Sequence, residues 1–266
     1  MACATGLATG LWRNSKPICT STFVLKTISC FREQLPWNRR SSQLYDVVGL
    51  KMYIPKANEE NRVSVMQALM VSQPLATLVT LGASGLFASH IPMIFEDDGS
   101  EFGLLKGHIS RGNAQWHDFE PTVDALAIFS GHQHYISPNW YPGKIEHGKE
   151  VPTWNYAVVH AYGPLKAIED EQWLLTFLNR LTDVHEASSP VPWKVSDAPA
   201  DFIQTLLHGI VGLELPIRRL EGKWKVSQNR TEEERKGVIE GLAKLDTNES
   251  RAMKALVEEA QKPRSR

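Results

Sequence analysis

The sequence predicts an α+β fold in which a small antiparallel barrel carries helices packed outside it, and three observations lead there. Between residues 75 and 131, four short strand-like runs follow one another, punctuated by Gly-Ala-Ser-Gly and Asp-Asp-Gly-Ser turns, the spacing of an antiparallel sheet or barrel. From Thr153 onward, strict alternation puts Thr153, Asn155, Ala157, Val159 and Ala161 on one face, and Trp154, Tyr156, Val158, His160 and Tyr162 on the other. Small residues on one face suit a tightly curved barrel interior. Most of the helical periodicity comes only after these strands, the order of an α+β chain.

The elements follow in turn. Val65, Met66, Leu69 and Met70 recur at helical spacing over Ser64–Val71, and Pro74 closes that helix. The strands are Leu75–Leu81, Leu86–Glu96, Phe102–Ser110 and Val123–Gly131, with a short crossing helix within Arg111–Phe119. An aromatic strand over Pro152–Ile168 adds to the sheet. Next comes a helix from Glu171 to about His185, with Trp173, Leu174, Phe177, Leu178 and Leu181 on one stripe. A bridge through Pro190, Pro192 and Pro199 leads to a helix over Asp201–Ile210. Leu213–Ser227 reads as a late strand bent at Gly222. Thr231 and Glu234 form a capping box opening a helix to Leu245. Asn248 starts a last polar helix, and Pro263–Arg266 should fray.

With 266 residues, 42% hydrophobic and 22% charged, the chain can bury a substantial core. A net charge of -1 provides no global field for nucleic acid, and no apolar run approaches the length of a membrane span. The first fifty residues differ from the rest: they hold all three cysteines, Cys3, Cys19 and Cys30, and carry Arg13, Lys16, Lys26, Arg32, Arg39 and Arg40 against Glu33 and Asp46. A disordered tail, an organellar presequence, or an upstream extension of a chain starting at Met52 each accounts for this stretch. A cysteine-free body points to a reducing, intracellular compartment, the cytoplasm by default, with the nucleus and the mitochondrion as alternatives.

Several chemistries are disfavoured. Gly82-Ala83-Ser84-Gly85-Leu86 lacks the last glycine of a nucleophile elbow and reads as a hairpin turn. Neither a Rossmann fingerprint nor a P-loop occurs. His132 and His134 sit two apart, but no cysteine ligand or HExxH pattern accompanies them, so no metal site is assigned. Lys106-Gly107-His108-Ile109-Ser110-Arg111-Gly112-Asn113 gathers two cations, a hydroxyl and an amide at the end of a strand. It reads either as a solvated strand end or as the seat of a monophosphate dianion. The aromatic stretch between Gln133 and Gly163 is either a packing ladder or the wall of a flat ligand or partner subunit. Arg218, Arg219, Lys223, Lys225 and Arg230, interleaved with Trp224, form the best local patch for DNA, but Glu221 and Glu232–Glu234 lie alongside.

These stretches resemble one family, the FMN-binding negative transcriptional regulators of the PaiB type. The resemblance rests on MYIPK (Met52–Lys56), PLATLVT (Pro74–Thr80), KGHISRGN (Lys106–Asn113), YISPNWYP (Tyr135–Pro142), HGKEVPTWNYAVVHAYG (His147–Gly163), LTDVHE (Leu181–Glu186), VSDAPADFI (Val195–Ile203) and LEGKWKVSQNR (Leu220–Arg230). It implies an FMN-binding split β-barrel over residues 52–245, preceded by an extension (1–51) and followed by a polar helix and tail (246–266). It further implies a homodimer with the flavin at the subunit interface. Carried over residue by residue, it places Lys106, Ser110, Arg111 and Asn113 near the phosphate. Thr77, Leu78, Val79, Thr80, Ser89 and His90 would lie beside the isoalloxazine ring, with Trp154 and Asn155 closing the site. Transcriptional repression is the implied role, yet no helix-turn-helix pair with a basic recognition face is evident. The wider split-barrel group adds two alternatives, a flavin-dependent oxidoreductase and a haem-binding protein.

Overall fold

Nine strands form one ladder in the computed structural model, which describes residues 51–261. The expectations for the N-terminal extension, its cysteines and the last four residues lie outside the described residues. The strands are β1 (Glu59–Glu60), β2 (Leu75–Gly82), β3 (Gly85–Glu96), β4 (Leu104–Ser110), β5 (Ala125–Ile136), β6 (Thr153–Gly163), β7 (Lys166–Ile168), β8 (Ile210–Pro216) and β9 (Arg219–Lys225). They pair in the order β1-β9-β6-β5-β2-β3-β4-β8-β7, every neighbour antiparallel. The barrel is split at β3, whose Gly85–Pro92 portion pairs with β2 while Met93–Glu96 pairs with β4. The two parts meet again where β6 comes against the end of β8. There a Cβ on Gly163 would overlap the Pro216 carbonyl oxygen, so only glycine fits. Arg218 N donates to Tyr162 O at 2.8 Å in the same seam. The small-residue face of β6 turns inward as its alternation predicts: Asn155, Ala157, Val159 and Ala161 are buried among Leu78, Leu105, Phe129, Leu213 and Leu215.

Two long predicted strands are each divided. Pro152–Ile168 breaks after Gly163, where Pro164 has no N–H to offer a ladder, and β7 crosses to pair with β8. Leu213–Ser227 breaks at Pro216–Arg218, sending β8 to β4 and β9 to β6. Gly222 is no bend: it lies within β9, where Met66 and the Glu60 carbonyl leave no room for a Cβ. The fourth predicted strand runs on to Ile136, past an irregularity between Ser130 and Gln133. The predicted crossing helix is a single 3-10 turn over Ala114–Trp116.

Helix α1 (Val63–Ser72) buries Met66 and Met70 in the core. A short α2 (Gly143–His147) ends at Gly148 in the left-handed region. Asp170 caps α3 (Glu171–Glu186), accepting from Trp173 N at 2.6 Å, and the helix lies along β8. Beside it runs α4 (Ala200–Leu207). The predicted capping box of Thr231 and Glu234 opens α5 (Glu232–Leu245). Thr247 caps α6 (Asn248–Glu259), whose outer face is polar but whose Met253 and Val257, at helical spacing, are fully buried in the barrel core. Among the described residues no helix is long and apolar enough to cross a membrane.

Candidate functional site

The end of β4 is where the chain collects hydrogen-bond donors. Residues 110–113 form a turn in which Asn113 N donates to Ser110 O at 2.9 Å and Gly112 N to Ser110 Oγ at 3.3 Å. The Asn113 amide Nδ2 reaches across to β3 and donates to Ser89 Oγ at 2.9 Å. One residue further along β3, His90 Nδ1 shares a hydrogen bond of 2.9 Å with Thr77 Oγ1 on β2. Beneath the turn, Gln115 is 1% exposed, and its Nε2 donates to Leu78 O, Thr80 Oγ1 and Phe87 O at 3.1, 3.1 and 3.3 Å. This one amide therefore bridges β2 and β3 and sets the floor on which the turn rests.

Arg111 carries the charge of the turn. Its Nη1 pairs with Glu169 at 2.6 Å, Nε donates to His208 O at 2.9 Å, and the guanidinium lies 5.6 Å from the Trp116 ring centroid. Both partners of the ion pair are well exposed, so the pair itself contributes about 0–1 kcal/mol. A ligand dianion can displace Glu169 at little cost, whereas the contacts to backbone carbonyls hold the fork in place.

Alternation sorts the remaining expected residues. On β2, Thr77 and Val79 face outward, while Leu78 and Thr80 point into the barrel and are buried. Lys106 is four residues from Ser110 on β4, about 13 Å along the strand, and pairs with Glu96 at 2.6 Å under α3. Asn155 is buried in the barrel, donating to Ser227 Oγ at 2.9 Å. Trp154 is exposed at the far end of β6, edge-on to Tyr135. It lies six residues before His160, about 20 Å along the strand. The structure thus gathers Thr77, Ser89, His90, Ser110, Arg111 and Asn113, and leaves Lys106, Trp154 and Asn155 apart from them.

Beside this group lies the outward face of the sheet. Pairing registers place Thr77, Ile128, His160 and Glu221 in one row across four strands, and Val79, Leu126, Tyr162 and Arg219 in the next. Helix α1 packs against β3, β5, β6 and β9 with Met66 and Met70 in the core, α3 and α4 lie along β8, and α6 lies against β5. The β9 edge of the face is polar. Arg219 lies 3.6 Å over the Tyr162 ring and pairs with Glu221, which also accepts from Tyr162 Oη at 3.3 Å. Burial pushes His160 below the ordinary imidazole range. Burial, with Glu221 adding to it, holds the Tyr162 phenol above its usual value.

The patch expected for DNA is drawn into internal contacts. Arg218 faces Asp124 at 3.5 Å, and Lys223 and Lys225 donate to the carbonyls of Tyr53 and Trp154 at 3.0 and 2.7 Å. Arg230 is held between Glu150 at 2.9 Å and Glu234 at 3.0 Å. Of the two histidines weighed as metal ligands, His134 is turned to the Tyr135 carbonyl at 2.6 Å.

A turn bearing a hydroxyl, a guanidinium and an amide, with one displaceable carboxylate, has the donor set of a phosphate-monoester site. The outward face of β2 and β3 adjoins it. Together with the split barrel, these features define a flavin mononucleotide-binding class of protein. The chain belongs to the family described as "Putative FMN-binding domain", whose model matches residues 52–219, and FMN is the cofactor of that family. The chain is 33% identical over 243 residues to an uncharacterized protein of Emericella nidulans, covering 78% of this chain and 97% of that protein. It is 31% identical over 211 residues to the protease synthase and sporulation protein PAI 2 of Bacillus subtilis, again covering 78% and 97% of the two chains. Among solved structures, the flavocytochrome Anf3 of Azotobacter vinelandii is similar with a TM-score of 0.49 and 16% identity over 67% of this chain and 73% of that one.

Two residues of the site escape sequence reasoning. Gln115 lies two positions after Asn113, and its burial could have been suspected only from the need to close the seam between β2 and β3. Glu169 carries no local signal, because its contact with Arg111 spans 58 residues.

Proposed function

We propose that the protein is a homodimeric FMN-dependent oxidoreductase acting on a small molecule. The observation behind this reading is the juxtaposition of the Ser110–Asn113 donor turn with the open sheet face at Thr77, Val79 and His90. In this arrangement the phosphate is held by Ser110, Arg111 and Asn113, with Ser89 orienting the Asn113 amide. The ring lies along the outward residues of β2 and β3, and Gln115 keeps the spacing of those strands fixed. When bound, FMN supplies a reversible carrier of one or two electrons. The chain's own part is to orient the cofactor and exclude water from it, and a second copy seated on the outward side chains of Leu126, Ile128 and Val158 supports that exclusion. Lys106, Leu78, Thr80 and Asn155 act at a distance, by positioning strands, and Trp154 reaches a ring only from the second copy. Direct control of transcription is a weaker reading, because within the basic patch Arg230 is held by the largely buried Glu150 and Glu234 and Lys225 by the Trp154 carbonyl.

The test is a titration of the full-length protein with FMN and with riboflavin. Replacing Arg111 by Ala should weaken FMN about tenfold or more and leave riboflavin little changed. Equal losses for the two flavins would refute the phosphate assignment. Bleaching of the bound flavin by NAD(P)H supports the enzyme; a salt-sensitive shift of promoter DNA without any such reduction would transfer the conclusion to the regulator. A monomer in sedimentation at micromolar FMN-loaded protein would remove the dimer.

A further inference from the structure

Away from the FMN site, a crevice of about 440 Å³ runs between α3 and the β3–β4 ladder, lined by Glu96, Lys106, Asp170, Gln172, Trp173, Thr176, Phe177 and Arg180. Its size falls in the range of small-molecule sites. We infer that it binds a small aromatic carboxylate, with the ring against Trp173, which is backed by the buried Phe177, and the carboxylate on Arg180.

Helical spacing builds the outer wall. Trp173, Thr176, Phe177 and Arg180 lie on one face of α3, and Asp170 to Arg180 spans about 15 Å of helix. The aromatic part is fixed before any ligand arrives. Trp173 and Phe177 stack with centroids 5.3 Å apart and planes 15° from parallel. The Trp173 Nε1 donates to Glu214 at 3.0 Å, and its ring rests on β8 at Gly212, where any Cβ would overlap it. An indole held by a hydrogen bond and a glycine seat is a preformed platform, which lowers the entropic cost of binding.

The polar groups set the ligand's charge. Lys106 is already paired with Glu96 at 2.6 Å and lies 5.9 Å from the Trp173 ring centroid. Asp170 is occupied as the cap of α3. Among the described residues of the crevice, Arg180 is the cation without an ion pair, and it stands at the opposite end from Asp170. A guanidinium with a free fork beside an aromatic wall matches a carboxylate attached to a ring by a short linker. This assignment uses none of Ser110, Arg111 and Asn113, and it does not depend on FMN being bound.

The probe is 3-phenylpropanoate, titrated into full-length protein by calorimetry and by Trp fluorescence. Saturable one-site binding is expected, about tenfold weaker in Arg180→Ala and about tenfold weaker for the uncharged 3-phenylpropan-1-ol. Thr176→Trp, a change at an exposed helix position that fills the crevice, should abolish binding while leaving FMN affinity intact. The inference is overturned by binding that Arg180→Ala leaves unchanged, by equal affinity for the alcohol, or by no saturable binding at about 10 mM probe.

Discussion

Gln115 offers the sharpest check on how the strands under the site are held. Its amide nitrogen serves Leu78 O, Thr80 Oγ1 and Phe87 O, while its Oε1 is buried without a hydrogen-bond partner. Replacing Gln115 by Leu preserves the volume and removes both halves of that account. An amide has two hydrogens to give, so about two net hydrogen bonds disappear, at about 1–1.5 kcal/mol each. Against this, the substitution removes one buried acceptor that nothing satisfies, a gain of about 1 kcal/mol. The expected net loss is about 1–2 kcal/mol. Gln115→Glu differs by placing a carboxylate where three acceptors already converge. It must either ionise against them or take up a proton, and should cost more than about 3 kcal/mol. Guanidinium unfolding at neutral pH, with an unchanged denaturant slope, reads both values. If the Glu variant were as stable as the Leu variant, the amide would not be donating to those three oxygens, and its role as the bridge between β2 and β3 would be lost.

Three further outcomes are expected. Gly163→Ala drives a methyl group into the Pro216 carbonyl and should cost about 3 kcal/mol or more, read as loss of soluble protein or a large drop in Tm. Arg230→Met strips the partner from Glu150, whose side chain is 6% exposed, and from Glu234 at 17%. That should destabilise by about 3–5 kcal/mol at neutral pH, read by guanidinium unfolding. His108 is packed edge-on to Phe177 with Nδ1 unpartnered, and burial lowers its proton affinity in the folded state. The unfolded chain then takes up protons first, so stability is constant above a pH of about 6.5 and falls as acid is added through that value. His108→Gln should flatten that fall in Tm between neutral and mildly acidic buffer; an unchanged slope would place the effect elsewhere, His160 being the next group to replace.

Alternating and helical periods are local, and wherever they were strong the sequence announced the element. The β6 alternation separated inward Ala157, Val159 and Ala161 from outward Tyr156, His160 and Tyr162, because period two leaves a strand no other choice. The capping box at Thr231 and Glu234 marked the start of α5 to the residue. Breaks were harder to see. Leu213–Ser227 reads as one strand, since the apolar pattern continues through Pro216, and only the competing partners β4 and β6 divide it. The last helix looks polar by composition, yet the spacing of Met253, Leu256 and Val257 buries one side of it. At the site, the motif Lys106–Asn113 was legible as a unit, but strand geometry splits it: Lys106 belongs to the crevice under α3, and Ser110, Arg111 and Asn113 belong to the turn. Contacts such as Arg111 with Glu169 depend on how distant segments are docked, which no local pattern encodes.

The pairing of β1 with β9 bears on how the chain folds as it is made. Glu59 lies opposite Lys223, and the Met52 backbone N–H donates to Glu221 at 2.9 Å, so the start of the barrel has to wait until its last strand has emerged from the ribosome. Until then β6 has a bare edge bearing Tyr156, Val158 and His160, an invitation to pair with a neighbouring chain. Products of translation that stop before Arg219 should therefore aggregate through that edge, which β9 covers when it closes between β1 and β6.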